Sequence, residues 1–356
     1  MKRSLSPTSI KKIDKSGMLD ALNHFPRQCR QASQIAAGLR NLPECKDVKR
    51  IVFVGVGGSA IGADLVRSYL YFKSSLPIQV IREYELPAYI DSQTLVFVCS
   101  YSGNTEETLS AYAQARDKGA VLIAISSGGQ LRERAAQDKI TFVEIPRGLP
   151  PRYAIGYLSI IPLSILATLG LTEEVLPNIN QAIKVLEELQ QTKINPRIGS
   201  ADNVSKCIAQ ELYNKLPVVY SSSANFSVVV RRFRSQLNEN SKVLASSAYF
   251  PEIGHNEITG WDNPKSLLKK AAIVIFRDNL VNPRISKRIE LTKEIIAKET
   301  GQRILEVWSR GEDLLSRIFS LIYIGDFISY YLAILYGIDP ASTDRITVLK
   351  ERLKRG

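Results

Sequence analysis

Two short segments of the sequence combine glycine with hydroxyl side chains, and each follows an apolar run. The first contains Gly58 and Ser59, and the second contains Ser100, Ser102 and Thr105. An apolar run that ends in such a segment is typical of a buried parallel strand leading into a helix. The first N–H groups of that helix then face outward, and glycine lets the backbone approach a ligand. The two segments therefore predict a cradle of neutral donors for a phosphate monoester.

Two other interpretations of these segments stay open. One is a pair of ordinary helix N-caps, because Ser and Thr are usual caps and Thr105 precedes two glutamates. The other is a dinucleotide site, since Gly55 and Gly57 loosely imitate its fingerprint and Glu83 and Glu85 follow the second apolar run. The glycine spacing departs from that fingerprint, and neither segment has the Gly-Lys-Ser/Thr ending of a P-loop. Two segments on strands that could be neighbours favour the phosphate cradle.

Other side chains could carry out acid–base chemistry on a bound sugar. Glu239 lies just after a predicted helix, where a solvated helix-end acid is the plainer interpretation. His255 follows a turn-like run, and its imidazole can exchange a proton near neutral pH or simply bond the backbone. Arg152, with its permanent charge, follows two prolines, and a surface ion pair is its alternative. Lys350 lies in a basic run typical of a solvated tail, and Thr343 could bind a hydroxyl or cap the last helix.

The elements that must position these residues alternate between strands and helices. Strands are predicted at 51–55, 78–81, 94–99, 121–125, 141–145, 217–220, 271–276 and 304–308. Helices are predicted at 18–40, from 57 to about 72, from after residue 107 to about 118, near 130, and at 231–238, 283–300 and 314–336. This alternation predicts an α/β fold with two tandem, doubly wound parallel sheets, each in an α-β-α sandwich.

The chain is expected to divide into five parts. These are a flexible N-terminal extension (1–17), a first domain with an N-terminal helix (18–175), a linker (176–200), a second domain (201–338) and a C-terminal segment (339–356). The extension is basic and has no apolar stretch behind it, so we do not interpret it as a secretory signal. The linker is predicted to be helical and then interrupted by proline and glycine.

Composition narrows the classes of function. A chain of 356 residues with 45% hydrophobic and 23% charged residues suits a folded two-domain protein. Its net charge of +12 has no aromatic-and-basic stripe beside it, which favours an anionic small molecule or a merely solvated surface over nucleic acid. Four scattered cysteines and two histidines lead us to expect no metal site, no cofactor and a reducing cytoplasm. No apolar run is judged long enough to cross a bilayer, so no membrane partner is expected.

Five sequence runs resemble the bifunctional phosphoglucose/phosphomannose isomerases, which consist of sugar-isomerase (SIS) domains. They are GVGGSAIGADL at 55–65, SYSGNTEETL at 100–109, PRYAIGYL at 151–158, QLNENSK at 236–242 and PEIGHNEITGW at 251–261. The C-terminal segment 339–350 also resembles the end of that family. Because the runs occur in the family's order and span the chain beyond about residue 18, the resemblance is specific.

The resemblance implies an isomerase that interconverts glucose 6-phosphate, and also mannose 6-phosphate, with fructose 6-phosphate through an enediolate. It implies two SIS domains and a homodimer with shared active sites, acting on a sugar 6-phosphate without metal. The implied base is Glu239, with His255 in ring opening and Arg152 beside the enediolate. The implied phosphate ligands are Ser59, Ser100, Ser102 and Thr105, and Thr343 and Lys350 are placed at the site. Gly58 joins the substrate-binding residues because glycine lets the backbone come close to a ligand.

The sequence departs from the family at two positions, where Val56 replaces a frequent Met and Gly254 replaces a frequent Asn before His255. Glu252 and Glu257 flank His255, and either could orient it or form a structural pair. The main alternative function is an SIS sensor that binds sugar phosphates without turnover. Such sensors usually carry a single SIS domain behind a helix-turn-helix. Two predicted domains and the presence of Glu239 therefore favour the enzyme, whereas an amidotransferase would need a further N-terminal cysteine domain.

Overall fold

The chain divides into two compact units. The computed structural model describes residues 3–301 and 303–353. The five-stranded unit comprises residues 24–184 and 313–316, and the four-stranded unit comprises the described residues of 1–23, 185–312 and 317–356. The ends of the predicted N-terminal extension and C-terminal segment, residues 1–2 and 354–356, lie outside the described residues. The five-part division drawn from the sequence stays a prediction.

The strands and helices have the following bounds. The strands are β1 Arg50–Val54, β2 Ile78–Ile81, β3 Thr94–Cys99, β4 Val121–Ser126, β5 Thr141–Glu144, β6 Leu216–Ser221, β7 Ser246–Tyr249, β8 Ala271–Arg277 and β9 Ile304–Trp308. The helices are α1 Pro7–Ile13, α2 Met18–Asn23, α3 Phe25–Ala37, α4 Gly57–Leu70, α5 Glu106–Asp117, α6 Gly129–Gln137, α7 Ile155–Thr168, α8 Leu176–Leu189, α9 Val204–Leu212, α10 Ser227–Gln236, α11 Lys265–Leu268, α12 Pro283–Thr300, α13 Leu314–Tyr336 and α14 Asp344–Leu353.

The five-stranded unit is built on a parallel sheet in the order β2-β1-β3-β4-β5. All six residues of β3 are buried, as expected for a strand covered on both faces. Phe53 on β1 pairs in register with Phe97 on β3, and their rings stack with centroids 4.9 Å apart. The strand order reverses between β1 and β3, and ligands of open α/β sheets bind outside the carboxyl ends of strands at such a point.

The four-stranded unit repeats the plan with a parallel sheet in the order β7-β6-β8-β9. Every residue of β8 is buried, and α10 packs on β6 and β7. The two sheets confirm the predicted fold class. Strand β7 was missed in the sequence because its residues, Ser-Ser-Ala-Tyr, are short, mostly polar and partly exposed, as an edge strand often is.

The N-terminal extension differs from the flexible segment that we expected. Ser6 caps α1 by accepting a hydrogen bond from the backbone of Ser9, and Pro7 opens the helix. Leu5 and Ile10 are buried within the four-stranded unit. The segment Ser-Pro-Thr-Ser at 6–9 carries this capping signal, so the basic composition of the extension was misleading. The structure also assigns α2, which we placed in the first domain, to the four-stranded unit.

Helix α13 differs from our expectation that no apolar run is long enough to cross a bilayer. By length and apolar composition alone it meets the requirement for crossing a bilayer, whereas we expected no such run. Its apolar window is wholly buried inside the protein, which is the situation of a core helix. Within the helix, Asp326 is buried and forms an ion pair.

That ion pair joins α10 to α13 inside the four-stranded unit. The Arg232 guanidinium donates two hydrogen bonds to the Asp326 carboxylate, from Nε to Oδ1 at 2.9 Å and from Nη2 to Oδ2 at 2.8 Å. Gln236 adds a third bond to Oδ1 at 3.1 Å. Both charged side chains are at most 3% exposed, so each depends on the other for compensation of its buried charge.

We predict that Arg232→Met lowers the free energy of unfolding of the four-stranded unit by about 3–5 kcal/mol, because it leaves the Asp326 carboxylate buried without its cation. Both tryptophans, Trp261 and Trp308, lie in this unit, so their fluorescence in a guanidinium titration follows its unfolding. The control is Arg303→Met, which breaks an exposed ion pair and is expected to cost less than about 1 kcal/mol. Equal losses in both variants contradict the prediction.

Candidate active site

In the five-stranded unit, the loops after β1 and β3 are joined by Ser59. The Ser59 Oγ accepts a hydrogen bond from the backbone N–H of Tyr101 at 3.1 Å, and both side chains are buried. Gly57 has φ +56°, a conformation that suits glycine, and α4 begins there. The two hydroxyl-rich loops therefore lie side by side at the carboxyl edge of neighbouring strands, as the sequence predicted.

The second loop is ordered by its own hydroxyl groups. Ser100 Oγ donates to Thr105 Oγ1 at 3.0 Å and accepts from the N–H of Gly103 at 3.1 Å. Ser102 is exposed, and its Oγ accepts from the N–H of Asn104 at 3.3 Å. These bonds bring Ser100 and Thr105 together and hold Ser102 on the outer side of the same turn.

The helix N-cap interpretation of these loops can be tested directly. Within the described stretch 3–301, neither N-cap residue, Val56 of α4 or Thr105 of α5, makes a side-chain cap hydrogen bond. The first N–H groups of both helices therefore lack the hydroxyl acceptors that ordinary caps supply. Two neighbouring helix N-termini without side-chain caps are a suitable environment for an anion.

The loop after β4, which the sequence analysis did not identify as functional, contacts the loop after β3 and helps to order it. Ser127 Oγ after β4 donates to the carbonyl of Tyr101 at 2.7 Å. Gly103 has φ +72°, and a Cβ there would lie only 1.8 Å from the carbonyl oxygen of Gly128. Only glycine allows this approach. The signal was present in the sequence as the run Ser126-Ser127-Gly128-Gly129 after a predicted strand.

Arg152 is held against the first loop. It lies in the turn Pro151–Tyr153 before α7 and is 5% exposed. A Cβ at Gly58 would be 2.7 Å from the carbonyl oxygen of Pro151 and 2.8 Å from the Cα of Arg152. The absence of a side chain at Gly58 therefore lets the backbone of the arginine turn approach the start of α4. The structure brings Arg152 together with Gly58 and the loop of Ser59.

Tyr101 and Gln28 fix the path of the chain to this arginine. The Tyr101 hydroxyl donates to the carbonyl of Pro146 at 3.1 Å and accepts from the N–H of Leu149 at 2.8 Å. Burial raises the pKa of Tyr101, so its phenol stays protonated and can donate. Gln28 donates to the carbonyl of Tyr153 at 2.7 Å. The arginine turn is thus held on both sides by neutral hydrogen bonds.

In the four-stranded unit, Glu239 lies in the π-helical turn Leu237–Ser241 that extends α10. The turn is anchored on α13, because Asn240 Nδ2 donates to Ser329 Oγ at 2.9 Å and Ser241 Oγ donates to the carbonyl of Ser329 at 2.6 Å. Glu239 itself is partly exposed. Glu239 is therefore carried by an anchored backbone turn, and it is one of the residues that line a cavity.

That cavity has a volume of about 450 Å³ and is lined by Glu239, Lys242, Thr343 and neighbouring residues. Its size suits a small ligand. The carbonyl of Thr343 accepts hydrogen bonds from Ile346 and Thr347 at the start of α14. Lys350 lies further along α14, is exposed, and is not among the residues that line the cavity.

His255 ends the turn Glu252–His255 and is exposed. It does not line the cavity of Glu239. The flanking acids have other partners, since Glu257 accepts from the Tyr220 hydroxyl at 2.9 Å and Glu252 accepts from the Asn256 amide at 2.7 Å. Both acids therefore serve the local structure of this loop.

Gly254, where the resembled family frequently has Asn, lies close to a side chain of α12. A Cβ at this position would lie 2.9 Å from Nη1 of Arg288 on α12. Arg288 thus occupies space beside His255 that a side chain at 254 would need. Among the described residues, no group of three or more His, Cys, Asp or Glu side chains is placed to hold a metal ion.

Comparisons with known proteins identify both halves of the chain. The SIS domain family matches residues 45–145, and the family described as bacterial phospho-glucose isomerase C-terminal SIS domain matches residues 201–353. The chain is 41% identical over 336 residues to a bifunctional phosphoglucose/phosphomannose isomerase of Caldicellulosiruptor bescii, covering 94% of this chain and 98% of that protein. A protein of the same description from Aquifex aeolicus is 34% identical, with 90% and 98% covered.

More distant matches are a sequence relative and a solved structure. A D-glucosamine-6-phosphate 4-epimerase of Sulfolobus acidocaldarius is 30% identical over 62% of this chain and 66% of that protein. A crystal structure of a hypothetical protein from Thermus thermophilus has a TM-score of 0.76 at 16% identity, covering 98% of this chain and 93% of that chain. At that identity the structural match shows the fold alone.

We predict that Gly58→Ala weakens binding of inorganic phosphate by about tenfold or more, or about 1.4 kcal/mol. The added Cβ must displace either α4 or the arginine turn, since it meets backbone atoms. Thermal-shift titration with phosphate measures the dissociation constant. Gly199→Ala is the control, because a Cβ there meets open space. An unchanged phosphate affinity in Gly58→Ala would show that the close approach does not shape the anion site.

Proposed function

Since the chain belongs to the family of bifunctional phosphoglucose/phosphomannose isomerases, we propose that it interconverts glucose 6-phosphate and mannose 6-phosphate with fructose 6-phosphate. The observation that carries the proposal is the pair of hydroxyl-rich loops after β1 and β3. They set two helix N-termini without side-chain caps at the point where the strand order reverses. This environment suits a phosphate dianion bound without lysine or arginine inside either loop.

Phosphate binding is assigned to the hydroxyl groups and backbone donors of these loops. Ser59 and Ser100 are buried and already bonded to the neighbouring loop or within their own, so their positions need little reorganisation. Thr105 adds a hydroxyl at the start of α5, and Ser102 adds an exposed one. Gly58 leaves space for the arginine turn, and its lack of a side chain lets the loop backbone come close to the phosphate.

Proton transfer between C1 and C2 is assigned to Glu239. The transfer requires a carboxylate held beside the substrate carbons by a rigid backbone. The anchored turn Leu237–Ser241 and the cavity of about 450 Å³ support this role. Thr343, on the same cavity, is suited to bind a sugar hydroxyl.

Stabilisation of the enediolate charge and opening of the sugar ring are assigned to Arg152, His255 and Lys350. An enediolate carries negative charge on oxygen, and a guanidinium stabilises it without a change of protonation state. An imidazole can move a proton between the ring oxygen and the C1 hydroxyl near neutral pH. The support for His255 and Lys350 is the family resemblance and their exposure, which leaves both side chains accessible to substrate or to a second subunit.

We also propose a homodimer with shared active sites, in the cytoplasm. Helix α14 presents Ile346, Leu349 and Leu353 to solvent, and these apolar side chains recur on one face of the helix. A partner subunit would cover them. The four cysteines are free thiols, as a reducing compartment maintains them.

We predict turnover of both glucose 6-phosphate and mannose 6-phosphate to fructose 6-phosphate, at rates that EDTA does not change. The reason is that the proposed mechanism assigns the stabilisation of negative charge to Arg152. A coupled assay of fructose 6-phosphate measures both reactions. Absence of turnover, with sugar phosphates still raising the melting temperature, would contradict the isomerase and favour a sensor. A product epimerised at C4 would point instead to the chemistry named for the Sulfolobus relative.

A further inference from the structure

Lys242 has a backbone conformation that lysine seldom adopts. Its φ is +59° and its ψ is 35°, in the left-handed region, where it ends the turn Leu237–Ser241. Glycine or asparagine usually occupies such a helix end because other side chains are strained there. A strained residue persists where the surrounding structure holds it, frequently close to a functional site. The side chain of Lys242 makes contacts that glycine could not.

The Lys242 ammonium group donates to three backbone carbonyls. Nζ lies 2.7 Å from the oxygen of Glu239, 3.3 Å from that of Asn240 and 2.6 Å from that of Ser342. The first two carbonyls belong to the C-terminal end of a helix. Carbonyls at that end have no N–H partner within the helix, and they carry the negative end of the helix dipole. The third lies 100 residues away in the chain. One cation thus joins two distant segments of the four-stranded unit.

The two segments that it joins are those assigned to the chemistry. Glu239 and Thr343 line the same cavity, and Ser342 directly precedes Thr343. Thr343 directly precedes α14, the helix that carries Lys350, and its carbonyl accepts the first hydrogen bonds of that helix. The bond from Lys242 to Ser342 therefore sets the distance between the backbone of the base and the start of α14.

The segment 339–343 is also held at its other end. Ser16 Oγ donates to Asp339 Oδ2 at 2.6 Å, and Asp339 Oδ1 accepts from the N–H of Ala341 at 3.0 Å. The N-terminal extension thereby fixes where the segment leaves α13, and Lys242 fixes where it enters α14. Loss of the Lys242 bond to Ser342 would therefore release the end of the segment next to α14, while the end at Asp339 stays bonded to Ser16.

We propose that Lys242 is a positioning residue of the isomerase, a clamp that holds the C-terminal segment against the turn of Glu239. The inference rests on the proposed function for the roles of Glu239 and Thr343. Lys242 acts through other residues, because its ammonium protons are directed to backbone carbonyls of the protein. Displacement of a catalytic group by about 1 Å can lower turnover by about 100-fold, so loss of the clamp is expected to be visible in kcat.

The test compares Lys242→Met, Lys242→Arg and the control Lys269→Met in the full chain. Methionine keeps an aliphatic stem but has no donors, whereas arginine restores charge and donors. Lys269 is an exposed lysine of the same unit, outside the cavity. Steady-state kinetics with glucose 6-phosphate give kcat and KM. Limited trypsin digestion, followed by mass spectrometry, gives the rate of cleavage after Arg345 in the first turn of α14.

We expect Lys242→Met to lower kcat by about 10- to 100-fold with KM changed by less than about threefold. Cleavage after Arg345 is expected to accelerate, with a melting temperature within about 2 °C of wild type, as for a surface change. Lys242→Arg should recover most of kcat and slow the cleavage again, and Lys269→Met should match wild type in both.

Two results would overturn the proposal. One is wild-type kcat together with wild-type cleavage in Lys242→Met. The other is an equal loss in Lys242→Met and Lys242→Arg with a lower melting temperature, which indicates a purely structural residue. If the wild-type chain shows no turnover, the proposed function fails, while the cleavage rates still decide whether Lys242 holds the segment.

Discussion

The position of Glu239 depends on a buried ion pair. Arg232 and Asp326 lock α10 onto α13, and Asp326 also accepts a bond from Gln236, the last residue of α10. One turn further along α13, Ser329 receives the bonds of Asn240 and Ser241. The turn with Glu239 therefore extends a helix that a fully buried ion pair joins to α13. Such a pair gives little net stability against an apolar replacement, but loss of one partner leaves the other charge buried and uncompensated.

The two hydroxyl-rich loops in the other unit depend on a different constraint, which is the close approach of backbone segments. Gly58 and Gly103 each stand where a Cβ would collide with backbone atoms of a neighbouring loop. The hydroxyl groups of Ser59 and Ser100 then bond across or within the loops rather than cap the helices that follow. Two helix N-termini are kept accessible in this way. The proposed anion site therefore depends on the parallel sheet and on glycines at these positions.

Much of this could be predicted from the sequence because the central strands are buried on both faces and appear as continuous apolar runs. The same reasoning missed β7, whose polar residues pair at an edge, and it mistook a proline-opened, serine-capped helix at 7–13 for a flexible extension. Contacts between residues that are distant in the sequence could not be predicted from local patterns. The bond of Lys242 to Ser342 and the placement of Arg288 beside Gly254 depend on tertiary structure, and no local pattern marks them.

The most direct test of the account is solvent exchange during the reaction. With fructose 6-phosphate in D₂O, the wild-type chain should place deuterium at C2 of the aldose product, as detected by mass spectrometry. Glu239→Gln should reduce this incorporation by about 10²- to 10⁴-fold, the usual contribution of a general base, while phosphate still binds. Glu211→Gln, a change at a surface carboxylate of the same unit, should leave incorporation unaltered. Incorporation within about tenfold of wild type in Glu239→Gln would contradict the assignment of Glu239 as the base.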